Sequence, residues 1–187
     1  MSSFYTEEEL NSIGFKSLGK NVQISRNTCI YKAEEISIGN NVRIDDFCFL
    51  LGKIELGSYI HIAPYSNLCG GPEGIVMEDY SGLSSRVSVY ATSDDYSGKA
   101  MTNPTVPSEY TNVYSQKVII KKHSIVGASS VILPGVTIET GCSCGAMTLV
   151  NKSTDPWSIY VGTPMKKIGE RSKDLLELEE QFQISQQ

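Results

Sequence analysis

The sequence predicts an all-β fold, a parallel β-helix built from short strands that turn a corner every six residues. The first observation is an unbroken apolar row with a spacing of six: Ile120, Val126, Ile132, Ile138, Cys144 and Val150. The second is a row of small or β-branched residues that alternates with it: Ser124, Ser130, Val136, Cys142 and Thr148. A period of six fits neither an amphipathic helix nor a half-buried strand. It is typical of solenoids in which each coil buries its inner face on the next.

The same register extends back to the start of the predicted coil, interrupted by short insertions. Its large positions hold Leu18, Ile24, Ile30, Ile38, Ile44, Leu50, Leu56, Ile62, Leu68, Met77, Leu83 and Val89. Equivalent positions such as Ile38 and Leu56 are three hexads apart, which predicts a triangular coil. A β-sandwich is the alternative for short β-rich runs. It gives no reason, however, for the six-residue apolar repeat to keep the same phase along the chain.

The ends of the chain break the period and are predicted to be helical. Residues 1–17 form an N-terminal helical cap, because Thr6 and Glu9 have the spacing of a capping box and Gly14 ends the helix. The β-helix then occupies residues 18–165. Residues 166–187 are predicted as a C-terminal helix, a cap or an intersubunit packing element, with Leu175, Leu178 and Phe182 on one stripe.

A long segment inside the coil, residues 90–117, also leaves the register. It is rich in Asp, Ser, Gly, Pro and Tyr and shows no apolar period. Long irregular segments within a compact fold are usually binding or active-site elements. We therefore predict an active-site loop here, the alternative being a tolerated surface insertion.

Composition excludes several classes of function. The chain has 187 residues and a net charge of −5, with no basic run, so nucleic acid is not an expected partner. Glu7, Glu8 and Glu9 stand where a signal peptide would carry positive charge, and no window is apolar enough for a membrane span. A cytoplasmic location is expected.

Cysteine and histidine usage argues against a metal centre. The five cysteines are odd in number and irregularly spaced, and three of them fall on the hexad register, which favours buried thiols over disulfides, metal ligands or a nucleophile. The chain has two histidines, His61 and His123. Three histidine ligands are therefore not available from one chain, and no metal is expected.

Further segments accompany the hexads, and they carry a resemblance to a known family. They are Val126-Gly127-Ala128, Leu133-Pro134-Gly135-Val136, Gly145-Ala146, Lys152 and Gly162-Thr163-Pro164-Met165-Lys166-Lys167. Together with the loop, they resemble the hexapeptide-repeat acyltransferases, especially galactoside and maltose O-acetyltransferases and the sugar acetyltransferases of O-antigen and capsule biosynthesis. The likeness covers roughly residues 18–170. It implies a left-handed β-helix and a homotrimer with acetyl-CoA sites between subunits.

The resemblance also implies which residues hold acetyl-CoA as co-substrate. Tiny side chains beside interior positions leave room for the pantetheine arm, and lysines after the last turn suit the phosphates. Each glycine has the alternative role of fitting a tight corner. The expected cofactor-binding residues are Gly127, Ala128, Gly145, Ala146, Lys152, Pro164, Lys166 and Lys167.

The loop departs from the family at the general base. Members usually carry a histidine just after the fourth turn, where this chain has Asp94 and Asp95. A carboxylate is a weak base near pH 7, although two adjacent carboxylates can raise one pKa. His123, on an outward-facing position after the loop, is the second candidate, and an amine acceptor without a side-chain base is the third. Tyr96 and Tyr110 are candidate sugar-stacking residues, with loop packing as the alternative.

The sequence therefore favours an acetyl-CoA-dependent O-acetyltransferase acting directly on a sugar or nucleotide sugar in an intersubunit groove. Backbone N–H groups are expected to stabilise the oxyanion. The alternatives are N-acetylation of a nucleotide-linked amino sugar and a catalytically inactive scaffold. A metal-dependent hydrolase on the same fold is disfavoured by the two histidines.

Overall fold

The structure is a computed structural model that describes residues 3–186, and its body is a parallel β-helix. Two helices flank the coil, α1 (Glu7–Ile13) and α2 (Leu175–Ser185), and single helical turns lie at Ala33–Glu35 and Ser108–Tyr110. The strands are β1 (Ser17–Leu18), β2 (Gln23–Ile24), β3 (Cys29–Tyr31), β4 (Ile36–Ile38), β5 (Arg43–Ile44), β6 (Phe49–Leu56), β7 (His61–Ile62), β8 (Asn67–Met77), β9 (Gly82–Leu83), β10 (Ser88–Tyr90), β11 (Thr92–Ser93), β12 (Tyr114–Ser115), β13 (Val118–Ile120), β14 (Ile125–Val126), β15 (Val131–Ile132), β16 (Thr137–Ile138), β17 (Ser143–Cys144), β18 (Leu149–Val150), β19 (Ser158–Val161) and β20 (Lys166–Glu170).

Interior side chains stack in three columns, one for each face of the coil. Parallel pairing sets each hexad residue directly on its equivalent in the next coil. The predicted period of six and the predicted β-helix are confirmed. The first column is Ile24, Ile44, Ile62, Leu83, Val126 and Cys144; the second is Ile30, Leu50, Leu68, Val89, Ile132 and Val150; the third is Leu18, Ile38, Leu56, Met77, Ile120 and Ile138.

Two of the three faces belong to one continuous sheet. The long strands β6 and β8 pass through a corner without a break, so they carry interior residues on two faces, such as Leu50 and Leu56 on β6. The third face is an eight-stranded sheet in the order β2-β5-β7-β9-β14-β17-β19-β20. Strand β20 is antiparallel to β19, so the end of this sheet is a hairpin.

Helices flank both ends of the chain. The capping box predicted from Thr6 and Glu9 is present, Gly14 ends α1 with a φ of 88°, and Leu10 packs into the core with 3% of its surface exposed. At the other end, residues 166–170 form β20, and the helix begins at Leu175. Within residues 3–186, no helix is both long and apolar enough to cross a membrane.

The corners bring successive coils into close backbone contact. A Cβ added at Gly127 would lie 2.4 Å from the backbone nitrogen of Ala146 and 2.6 Å from the carbonyl carbon of Gly145. At Gly145 the nearest atom would be a Val161 side-chain methyl, at 2.8 Å. Gly127 is therefore needed for the stacking itself, whatever else its edge of the coil does.

We expect Gly127→Ala to lower the free energy of unfolding by about 1–3 kcal/mol, because its methyl group would push two rungs of backbone apart. Urea denaturation followed by circular dichroism measures this. Gly169→Ala is the matched control, since a Cβ there would meet no atom within 4 Å. Equal stability of the two variants would contradict the close-approach argument.

Candidate functional site

An open cavity of about 770 Å³ lies on one edge of the coil, between the loop of residues 90–117 and the following coils. The base of the loop is held together by β11 and β12, which pair antiparallel. We call this the loop edge, defined by the cavity-lining residues Tyr90, Thr92, Ser93, Asp94, Tyr96, Tyr114, Val131, Leu133, Pro134 and Asn151.

The two predicted loop carboxylates have different surroundings. Asp94 lines the cavity of the loop edge. The Asp95 carboxylate instead accepts a hydrogen bond from the Ser97 backbone N–H at 2.7 Å, closing a local turn. Hydrogen bonds from the hydroxyl and backbone of Ser97 hold the pKa of Asp95 below its ordinary value. Two adjacent carboxylates can raise the pKa of one of them, but the pKa of Asp95 is lowered. The contacts of Asp95 indicate that it stabilises a turn.

The two predicted tyrosines are also separated by the structure. Tyr96 lines the cavity and is 92% exposed, so its ring is available to a ligand. Tyr110 ends the helical turn Ser108–Tyr110, is also exposed, and does not line this cavity. Tyr114, which sequence reasoning passed over, does line it.

A second edge of the coil carries the predicted glycines. Ser84, Gly127 and Gly145 each follow an interior residue of the eight-stranded sheet, and they stack in register on successive rungs. The Ser84 N–H donates to the Val126 carbonyl at 2.9 Å, and the Gly127 N–H to the Cys144 carbonyl at 2.7 Å. We call this row, with Ala128 and Ala146, the serine–glycine edge.

Unpaired backbone donors lie along the serine–glycine edge. Within the described part of the chain, the N–H groups of Ala128 and Ala146 donate no hydrogen bond. The carbonyl of Gly145, in contrast, accepts from the buried hydroxyls of Ser130 and Thr148 at 3.1 and 2.7 Å. Side chains thus hold the edge from inside the coil, and two of its backbone donors are left without a partner.

Ser84 is the residue on this edge that sequence reasoning missed. It lies beside a depression of about 300 Å³ lined by His61, Ala63, Gly82, Leu83, Ser84, Ser85 and Ile125. The available signal was its register, because Ser84 follows Leu83 as Gly127 follows Val126 and Gly145 follows Cys144.

The segment 162–164 lies at the C-terminal end of the serine–glycine edge. The Gly162 carbonyl accepts from the Leu149 N–H at 3.1 Å, and the Thr163 hydroxyl donates to the Met147 carbonyl at 3.1 Å. These bonds place Pro164, which is exposed, next to the predicted glycines and alanines.

The three predicted lysines differ in their partners. Lys152 and Lys166 are exposed, and within residues 3–186 their ammonium groups have no carboxylate within ion-pair distance. The Lys167 ammonium lies 2.7 Å from the Glu170 carboxylate and 3.4 Å from that of Asp155, and these carboxylates raise its pKa. Lys152 and Lys166 are therefore the lysines with charge available for a phosphate.

His123 lies beneath helix α2 and is 8% exposed. Its Nε2 is 2.9 Å from a carboxylate oxygen of Glu179, and its ring stacks on Tyr80 with centroids 5.3 Å apart. Its φ is 62°, and it lies in a column of corner residues with positive φ that includes Tyr59 and Tyr80. None of these partners belongs to the loop of residues 90–117, so the expected outward-facing position is covered by the returning C-terminal helix.

The carboxylate that covers His123 is held ionised by its partners. Burial raises the pKa of Glu179, but hydrogen bonds from Lys122 and His123 outweigh burial and leave the pKa below its ordinary value. The Lys122 ammonium is 2.6 Å from Glu179. The contacts of His123 thus tie α2 to the coil, which is a structural role.

The three cysteines on the hexad register occupy the places expected for buried thiols. Cys48, Cys142 and Cys144 are in the core, while Cys29 is exposed and Cys69 is half-buried. Burial raises the pKa of Cys48 to about 11 and also raises that of Cys69. Neither thiol has the lowered pKa of a nucleophile. In the described residues, no group of three or more His, Cys, Asp or Glu side chains is arranged for a metal ion.

Comparison with known proteins gives close relatives of the whole chain. No protein-family model matches it. It is 47% identical over 186 residues to dTDP-4-amino-4,6-dideoxy-D-glucose acyltransferase from Escherichia coli, covering 98% of this chain and 96% of the relative. A maltose O-acetyltransferase from Clostridium difficile 630 shares the fold, with a TM-score of 0.60 at 20% identity over 89% of this chain and 75% of that one.

Crystal structures of AntD, an N-acyltransferase from Bacillus cereus, match with a TM-score of 0.97 and 54% identity. The complex with dTDP and 3-hydroxybutyryl-CoA covers 100% of this chain and 99% of that one. Other AntD structures are of variants in which Asp94 or Ser84 is replaced, including S84A with dTDP-4-amino-4,6-dideoxyglucose and coenzyme A. With relatives of this identity along its entire length, the chain belongs to the hexapeptide-repeat sugar acyltransferases.

Proposed function

We propose that this protein is an N-acyltransferase that moves an acyl group from acyl-CoA to the amino group of a dTDP-linked 4-amino sugar. The observation that carries the proposal is the 54% identity, over the whole chain, to a protein crystallised with that nucleotide sugar and coenzyme A. The sequence favoured a hydroxyl acceptor and kept the amine as an alternative. The relatives favour the amine, which needs less help from a base.

The serine–glycine edge fits acyl-CoA. The unpaired backbone N–H groups of Ala128 and Ala146 are suited to the amide oxygens of pantetheine, because a buried amide must find a partner. Pro164 and the unpaired lysines Lys152 and Lys166 lie at the C-terminal end, where the nucleotide phosphates need positive charge. This direction puts the thioester toward Ser84, at the other end of the row.

Two residues of this chain coincide with positions altered in AntD. The two chains match end to end at 99–100% coverage, and this sequence carries residues of the same type at the same numbers, Ser84 and Asp94, which supports treating them as the corresponding residues. They follow different faces of the coil, since Ser84 follows β9 and Asp94 follows β11, beyond the next face. The cavity of the loop edge and the depression beside Ser84 share no lining residue.

A second copy of the chain would bring these two edges together. A loop edge of one subunit packed against the serine–glycine edge of its neighbour gives a groove with Asp94 on one wall and Ser84 on the other. Repetition of this heterologous contact around a three-fold axis gives a closed homotrimer, the assembly expected from the family resemblance.

The reaction then needs little chemistry from the protein. The acceptor amine attacks the thioester carbonyl, and collapse of the tetrahedral intermediate expels the CoA thiolate. The backbone N–H of Ser84 is occupied by Val126, so its hydroxyl is the group that can donate to the oxyanion. Asp94 hydrogen-bonds to the amine and takes up its proton as the C–N bond forms.

The proposed function is tested by a transfer assay with matched acceptors. We expect acyl transfer to dTDP-4-amino-4,6-dideoxyglucose and none to the nucleotide sugar that carries a 4-hydroxyl in place of the amine. Release of free thiol and mass spectrometry of the product measure it. Transfer to the hydroxyl compound at an equal rate would contradict the proposal and favour an O-acyltransferase. Transfer to neither compound would favour the hypothesis of a catalytically inactive scaffold.

We expect Asp94→Asn to lower turnover by a factor on the order of 10² or more, because the amide cannot accept the proton. Asp95→Asn is the matched control, and its activity should stay near that of the wild-type protein, since this carboxylate is used within its own turn. Steady-state kinetics on the amino sugar substrate measure both. An unchanged rate in Asp94→Asn would remove this residue from the mechanism.

A further inference from the structure

A row of outward-facing residues on the eight-stranded sheet leads to Ser84. Arg43 on β5, His61 on β7 and Gly82 on β9 are paired in register on successive rungs. The side chains of Arg43 and His61 are 54% and 55% exposed. Gly82, which has no side chain, helps to form the depression beside Ser84.

A buried carboxylate fixes both basic side chains of this row. Asp45 is 8% exposed, and its two carboxylate oxygens have separate partners: Arg43 Nε at 2.7 Å and His61 Nε2 at 2.7 Å. Burial raises the pKa of Asp45, but the hydrogen bonds with His61 and Arg43 outweigh it and keep the carboxyl ionised at neutral pH. The pair of exposed side chains is therefore pre-positioned on the surface.

Fixing these side chains leaves polar atoms free to bind a ligand. Over residues 3–186, the Nη atoms of Arg43 have no hydrogen-bond partner, and its guanidinium lies 5.2 Å from the centroid of the Phe4 ring. The Asp46 carboxylate at this corner accepts from Ser25 and Asn27 and does not compete for Arg43. His61 contacts Asp45 through Nε2, and within the described residues its Nδ1 makes no hydrogen bond and is left for a ligand.

The spacing of the row matches a nucleotide sugar. Neighbouring parallel strands are about 4.8 Å apart, so Arg43 and Gly82 are separated by about 10 Å along the face. A 4-amino pyranose carries its diphosphate and its amine on opposite sides of the ring. With the amine at Ser84, the ring would lie over His61 and the diphosphate at Arg43.

We propose that Arg43 anchors the diphosphate of the nucleotide sugar and that Nδ1 of His61 forms a hydrogen bond with a hydroxyl of its sugar. This inference rests on the proposed function, because it places the acceptor of that reaction. Asp45 acts through Arg43 and His61 and is a positioning residue. The planar fork of the arginine suits a phosphate better than a point charge does.

Calorimetric titration with dTDP and, separately, with coenzyme A tests the anchor in the full-length protein. We expect Arg43→Gln to weaken dTDP binding about tenfold or more, with an unchanged affinity for coenzyme A. The matched control is Lys32→Gln, which removes one exposed positive charge from another part of the coil. An unchanged dTDP affinity in Arg43→Gln, or an equal loss in Lys32→Gln, would overturn the proposal.

Loss of coenzyme A binding in Arg43→Gln would show a general effect on the fold and would also count against the anchor. Arg43→Lys keeps the positive charge but loses the planar fork of the guanidinium. We therefore expect its affinity for dTDP to lie between those of the wild-type protein and Arg43→Gln.

His61→Asn should raise the KM for the amino sugar nucleotide several-fold with little change in kcat. An unchanged KM would overturn the role of His61.

These outcomes are independent of the proposed reaction. If the wild-type protein binds dTDP but does not acylate the amino sugar nucleotide, the proposed function fails while the dTDP titrations still decide the anchor. If acylation occurs and Arg43→Gln binds dTDP normally, only the anchor fails.

Discussion

The stacking of one coil directly on the next is the constraint on which the rest of the structure depends. Backbone hydrogen bonds fix the spacing between rungs, and three interior columns of aliphatic residues fill the space within them. Where the rungs approach most closely, at Gly127, there is no room for a side chain. The same stacking turns residues far apart in sequence into rows along the surface, and these rows form the candidate site.

Two rows carry the proposed binding sites, and they differ in how they are held. The serine–glycine edge is made of backbone, and the hydroxyls of Ser130 and Thr148 hold it from inside the coil. The row of Arg43 and His61 is made of long side chains, and the buried carboxylate of Asp45 holds it. In both cases interior groups are used to fix the surface, which reduces the entropy lost when a ligand binds.

The interior of the coil could be predicted from the sequence because a period of six repeats along the chain. Gly127 and Gly145 followed from the same register, and Asp94 from its place in the loop. Ser84 was missed because serine is a common residue at the corners of such a coil. Asp45 and His61 are distant in sequence and become neighbours only through the pairing of β5 with β7. His123 does lie at an outward position of its hexad, but it is buried there, because α2 returns to cover it and no local pattern shows this.

The way in which the loop of residues 90–117 is inserted has a consequence for how such enzymes diversify. Strand β10 before the loop and strand β13 after it both pair with β8, so the coil resumes on the rung where it was interrupted. The excursion is joined to the coil through β11 and β12, which pair mainly with each other. Its length and composition are thereby uncoupled from the register of the solenoid. This one segment can therefore be exchanged in evolution while the stacked coils beneath it stay as they are.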